Sequence, residues 1–173
     1  MNEQEIASLF QNVKKRFVGV YAIDELLKTK LDAGEGLVFN TSPRNVSIGH
    51  WIALYKCEND KDVFLLDSLC LPYVLNNTHL KIFLKYNKIM SIKCLPYPVQ
   101  HKSSNACGMF SIYFLYRLFK NEQLCEILNS LDSKFLYTND FIVAQYIINY
   151  VLYYLFHYPI KLYIYFSRTF LLR

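Results

Sequence analysis

Between Glu5 and Phe17 the apolar residues Ile6, Leu9, Phe10, Val13 and Phe17 recur at helical spacing with polar residues between them. That period predicts an amphipathic first helix. Gly19-Val20-Tyr21-Ala22 reads as a short strand, and Asp24-Glu25-Leu26-Leu27-Lys28 as a short helix with its acids in the first turn. Leu37-Val38-Phe39-Asn40 predicts a strand, and Thr41 to Ser47, interrupted by Pro43, an exposed loop. His50 to Tyr55 and Val63 to Leu66 are two strand-like runs joined by the charged turn Glu58 to Asp62, a hairpin signal with a longer loop. Leu80 to Tyr86 predicts a helix and Ile89 to Leu95 a strand, which Pro96 and Pro98 end.

The next run differs in kind. Gly108 to Phe119 is apolar on every side, so a helix there must be buried. Leu124 to Leu131 predicts a further helix, and Asn139-Asp140 is expected to cap one that starts at Phe141. From Phe141 to Ile160 no residue carries a fixed charge, a length that would span a bilayer. Gln145, Asn149, His157 and Pro159 interrupt the run, and its tyrosines prefer interfaces. A docked helix with an irregular end is therefore favoured over membrane contact. We place one domain over residues 1–150 and an apolar, Tyr-rich tail over 151–173.

Composition narrows the class. Apolar residues make up 53% of the 173-residue chain, which excludes extended disorder and permits one sizeable core. The formal charge is +5, and Lys14-Lys15-Arg16 is the one dense basic cluster. A solvated helix face accounts for it, with weak DNA contact as the minority reading. Five cysteines without a CxxC pair, after a polar and acidic opening with no leader-like run, predict a reducing intracellular or intraparticle setting. Cys70…His79 and Cys94…His101 match no common zinc spacing, so no metal is expected.

The candidate chemistry gathers around Cys107. It opens the buried helix, where the helix N-terminus would lower its pKa, and Gly108 beside it lets a substrate backbone approach. Gln100 stands seven positions upstream, and its amide with the Cys107 N–H would hold an oxyanion. Antiparallel pairing of the predicted hairpin would return Asp67 to His50. The imidazole would then pair with the thiolate, and the carboxylate would set its tautomer. Trp51, the only tryptophan, would shield them from water. Each residue alone has an ordinary structural explanation: a small core thiol, a strand-end imidazole, a turn Asp, a solvated Gln. Their joint occurrence points to a thiol protease. His101 is a competing base.

Gly49-His50-Trp51-Ile52-Ala53, Asp67-Ser68 with Leu71-Pro72, and Gln100…Asn105-Ala106-Cys107-Gly108-Met109-Phe110 resemble the adenain family. These are maturation cysteine proteases of the adenovirus and Maverick/Polinton type, in a clan shared with the SUMO-specific Ulp proteases. Phe17 to Tyr21, Asp24 to Leu26, Phe39 to Pro43 and Thr138-Asn139-Asp140 also resemble the Polinton-type members. The resemblance covers about residues 17–150. The Gln-to-Cys interval is the adenain one, longer than that of the Ulp group. Adenovirus members carry Glu where this chain has Asp67, and the tail after about Tyr150 matches nothing in the family.

The resemblance implies an α+β fold of papain-like or adenain-like type, with a mixed central sheet and the nucleophile at the N-terminus of a buried helix. It implies His50 as base, Asp67 as third triad member, Cys107 as nucleophile and Gln100 as oxyanion donor. It further implies a monomeric endopeptidase acting on capsid or core precursors, in a virus particle or the host nucleus or cytoplasm. Small residues, often Gly, would lie at the scissile bond. No cofactor is expected, although adenovirus members are stimulated by DNA and a viral peptide. Two alternatives stand beside it: an isopeptidase for a ubiquitin-like modifier, and an inactive domesticated copy acting as a binding module.

Overall fold

The structure, a computed structural model, describes residues 1–155 apart from 14, 47, 59 and 60. Five strands form one mixed sheet in the order β1-β2-β3-β4-β5: Phe17–Ala22, Gly36–Asn40, Trp51–Lys56, Asp62–Leu66 and Ser91–Cys94. The β1–β2 and β4–β5 pairs are parallel, and β2–β3 and β3–β4 antiparallel. The helices are α1 Glu3–Leu9, α2 Thr78–Tyr86, α3 Cys107–Phe119, α4 Leu124–Asn129 and α5 Leu136–Leu155.

Both faces of the sheet are covered, which is why the central strands read as unbroken apolar runs rather than alternating ones. Val38, Ala53, Tyr55 and Leu66 point to one face, where α3 lies with α1, α4 and α5 against it. Leu37, Phe39, Ile52, Leu54, Val63 and Leu65 point to the other. There they meet Leu80 and Phe83 of α2, and Ile23 and Leu26 of a 3-10 turn over Ile23–Lys28. Helix α3 is buried along nearly its whole length, as its all-round apolar pattern requires. It sits so close to β2 that a Cβ at Gly36 would lie 2.6 Å from Leu115 Cδ2 and 3.1 Å from the Leu54 carbonyl oxygen. Gly36→Ala is therefore expected to cost about 1–3 kcal/mol by overpacking, read as a lower urea midpoint. An unchanged midpoint would show that Leu115 yields freely.

The first helix is shorter than its periodicity predicts. It ends at Leu9, a 3-10 turn covers Gln11–Val13, and Phe17 already belongs to β1. Phe10 is sandwiched between Phe17, at 3.8 Å between ring centroids, and Tyr116 of α3, at 4.9 Å. The apolar spacing thus records two elements docking on α3, not one helix. Lys14 lies outside the described residues. Arg16, in the same basic cluster, is tied down: its guanidinium donates to the Phe119 carbonyl at the C-terminal end of α3 and pairs with Glu58 at 3.3 Å.

The last helix is also displaced from its expected start. It begins at Leu136, so Asn139-Asp140 does not cap it. Asp132 Oδ1 accepts from the N–H groups of Lys134 and Phe135 ahead of the helix. Asn139, fully buried, instead donates its amide to the carbonyls of Val99 and Asp132 and accepts from the Asp132 N–H. Along α5, Val143, Ala144 and Ile147 are buried, and Tyr146 and Tyr150 meet Tyr113 and Tyr116 of α3. Among the described residues no helix is long and apolar enough to cross a membrane. Helix α5 runs through the expected boundary at residue 150 to Leu155, and the rest of the expected tail, 156–173, lies outside the described residues.

Candidate functional site

His50 stands one residue before β3, held there by the hydroxyl and the N–H of Thr41, the residue after β2. The Thr41 hydroxyl accepts from the His50 N–H at 3.0 Å, and the Thr41 N–H donates to the His50 carbonyl at 2.9 Å. Asp67 follows β4. The β3–β4 ladder ends with Ala53 paired to Leu66, so Asp67, just after β4, and His50, just before β3, emerge from the same end of this strand pair. The contact is made: His50 Nε2 lies 2.7 Å from Asp67 Oδ1.

Both side chains are buried, His50 to 8% exposure and Asp67 to 4%. A buried carboxylate needs donors on every side. Asp67 has three: Oδ1 also accepts from the Leu69 N–H at 2.9 Å, and Oδ2 from the Leu71 N–H at 2.8 Å. The ionised carboxylate accepts a hydrogen bond from the Nε2–H, which leaves Nδ1 as the ring nitrogen available to Cys107.

Cys107 is the first residue of α3, and the His50 imidazole and the backbone N–H groups of Trp51 and Gly108 all act on its thiol to lower its pKa. Burial, the largest single influence, pushes the thiol pKa up. The His50 hydrogen bond, those backbone donors and the imidazolium charge together overcome it, and the net shift is downward. For His50, burial pushes the pKa down, while Asp67 and Cys107 outweigh it and raise the value to about 9. A raised imidazole beside a lowered thiol favours the thiolate–imidazolium form over the neutral pair. The thiols of Cys57, Cys70 and Cys94 move the opposite way, raised by burial, Cys70 to about 11.

Gln100 is placed in the loop that delivers the chain to α3, 1% exposed. Its N–H and that of Val99 donate to the Ser68 carbonyl at 3.0 and 2.9 Å. His101 is turned elsewhere: it stacks on Tyr137 at 3.7 Å, and its Nδ1 lies 2.9 Å from the Ser103 hydroxyl. Trp51 is half-buried; its backbone N–H helps lower the Cys107 pKa, and its indole N–H donates to the Met1 carbonyl at 3.0 Å.

The structure hydrogen-bonds His50 to Asp67, opens α3 with Cys107, whose pKa His50 lowers, and sets Gln100 in the loop leading to that helix. Three contributors carry no sequence signal of their own. The Trp51 main chain acts through an N–H that every residue has. Ser68 stands out only as the neighbour of Asp67, and Asn139 only as a helix cap and as part of Thr138-Asn139-Asp140. Among the described residues no group of three or more His, Cys, Asp or Glu side chains is arranged to hold a metal ion.

No protein-family model and no curated protein matches the chain. Among solved structures it is similar to the central domain of the uncharacterized Lpg1148 protein from Legionella pneumophila, at 13% identity and a TM-score of 0.48. That match covers 87% of this chain and 98% of the other. It is also similar to ChlaDub1 from Chlamydia trachomatis, at 15% identity and a TM-score of 0.45, over 68% of this chain and 60% of that one.

Proposed function

We propose that this chain is a cysteine endopeptidase that cleaves capsid or core precursor proteins of a virus or virus-like element, with Cys107, His50 and Asp67 as its triad. One observation carries the chemistry: a buried imidazole, hydrogen-bonded by a carboxylate, lowers the pKa of a thiol at a helix N-terminus. The substrate class rests on the adenain-like motifs around His50, Asp67, Gln100 and Cys107.

The Cys107 thiolate attacks the scissile carbonyl carbon, forming a C–S bond as the carbonyl π pair moves to oxygen. Gln100 and the Cys107 N–H hold that oxyanion. As the C–N bond breaks, the imidazolium of His50 gives its proton to the leaving amine. The neutral imidazole then takes a proton from water, whose oxygen attacks the thioester. The C–S bond breaks, releasing the acid and restoring the thiolate–imidazolium pair. Asp67 stays ionised throughout and keeps the ring in one tautomer.

The test is covalent labelling of the purified protein by two electrophile-tipped probes, with the modified residue mapped by mass spectrometry. One is a short Gly-containing peptide, the other a whole ubiquitin-like modifier. Labelling of Cys107 by the peptide supports the endopeptidase. Preferential labelling by the folded modifier replaces it with an isopeptidase, and silence with both, with DNA present, with a binding module.

A further inference from the structure

The Gln100 carboxamide is gripped at both ends. Its Oε1 accepts from the Ser68 hydroxyl at 2.6 Å, and its Nε2 donates to the Ser104 carbonyl at 2.8 Å. A main-chain carbonyl can only accept, so the NH2 end must face Ser104 and the oxygen must face Ser68. The amide therefore has one orientation. One of its two N–H groups goes to Ser104, and the other has no partner among the described residues. A buried N–H without an acceptor is costly, and the arrangement favours an oxygen arriving from outside the protein.

Ser68 is as buried as Gln100, at 1% exposure, and its hydroxyl reaches nothing else among the described residues. Its main chain belongs to the same clasp, because its carbonyl takes the Val99 and Gln100 N–H groups. The preceding residue, Asp67, orients His50. One dipeptide thus reaches both the base and the amide, across 17 and 32 residues of chain respectively.

We propose that Ser68 is a positioning residue, which fixes the orientation of the Gln100 amide so that its second N–H is held ready for the substrate oxyanion. The inference rests on the reading of Gln100 as oxyanion donor. A hydroxyl here acts only on the step that forms an oxyanion. It has no part in generating the thiolate, which belongs to His50 and the helix terminus.

The experiment is a double-mutant cycle in the full-length protein: Ser68→Ala, Gln100→Ala and both together. It is read by kcat and KM on a Gly-containing peptide and by the rate of Cys107 alkylation with iodoacetamide, which forms no oxyanion. Removing an oxyanion donor costs roughly 100-fold in kcat or more, so loosening one is expected to cost about 10-fold. KM and the alkylation rate should stay near wild type. In the Gln100→Ala background, Ser68→Ala should cost nothing further, since there is no amide left to orient.

Ser68→Cys, close to Ser in size but a weak donor, should fall between and keeps the test open if the alanine variant folds poorly. Additive losses, or an alkylation rate that falls in step with kcat, overturn the inference while leaving the protease reading intact. A wild-type protein that neither cleaves the peptide nor alkylates faster than a free thiol overturns both.

Discussion

His50→Ala is expected to slow acylation of Cys107 by about three to four powers of ten, since a general acid–base contributes roughly 10²–10⁴ and triad members act as a unit. Two losses combine. The leaving amine has no proton donor, and the thiol, still buried, keeps the influence that raises its pKa while losing the main one that lowers it. The wild-type protein should alkylate at Cys107 below the ordinary thiol pKa of 9.0. Its peptide cleavage should rise as the thiolate forms and fall as His50 loses its proton near 9. The observed limbs will be properties of the coupled pair. In His50→Ala the alkylation curve should move to higher pH. An unmoved curve would show that the helix N-terminus alone makes the thiolate.

The same pair links stability to pH. The folded His50 pKa, about 9, lies above its ordinary value of 6.5. Its contribution is then fully present below the ordinary value and is lost as pH rises through the folded one. Cys107 runs the other way: its folded pKa is lowered, so its contribution is present above the ordinary thiol value of 9.0 and is lost as pH falls through the folded one. Urea midpoints of wild type and His50→Ala should differ most on the acid side of pH 9 and converge above it.

Asp67→Ala is expected to be the most destabilising single change in the site, by about 3–5 kcal/mol, because it strands a buried charged partner. The carboxylate also ends two backbone N–H groups, those of Leu69 and Leu71, in the turn after β4. Each buried donor left unsatisfied adds about 1–3 kcal/mol. Asp67→Asn separates charge from shape. Its carbonyl oxygen can replace Oδ1, but its NH2 then faces the Leu71 N–H, donor against donor. Both variants should lose peptide cleavage, and the alanine variant should also show a lower urea midpoint. If Asp67→Asn retained both rate and midpoint, the carboxylate would be no more than a turn residue.

Much of the site was legible because its longest necessary link is short. His50 and Asp67 belong to neighbouring strands joined by a local turn, so apolar pattern and turn chemistry together foretold their meeting. Cys107 could be placed at a helix start from the all-apolar run behind it, which can only be a buried helix. The course of α1 was misread for a related reason: period alone cannot tell one helix from a helix and a strand that both press on α3. Asn139 was misread because a helix-favouring pattern before Phe141 was hidden among polar residues. Its amide is occupied by Val99 and Asp132 rather than by the helix end.

Local pattern by itself thus determined the strands β2, β3 and β4, the buried α3, the hairpin that carries His50 and Asp67, and the position of the thiol. Hydrophobic periodicity, turn residues and helix termini act over a few residues, so they are written into adjacent positions. Only the tertiary structure decided where α1 stops, what covers α3, which partners take the Asp67 oxygens, and which way the Gln100 amide faces. Those outcomes depend on buried polar groups finding partners 30 or more residues away in several cases, as Ser68 does with Gln100 and Asn139 with Val99. Such pairings leave no period in the sequence. They exist only once two faces of the sheet have closed and water has been excluded between them.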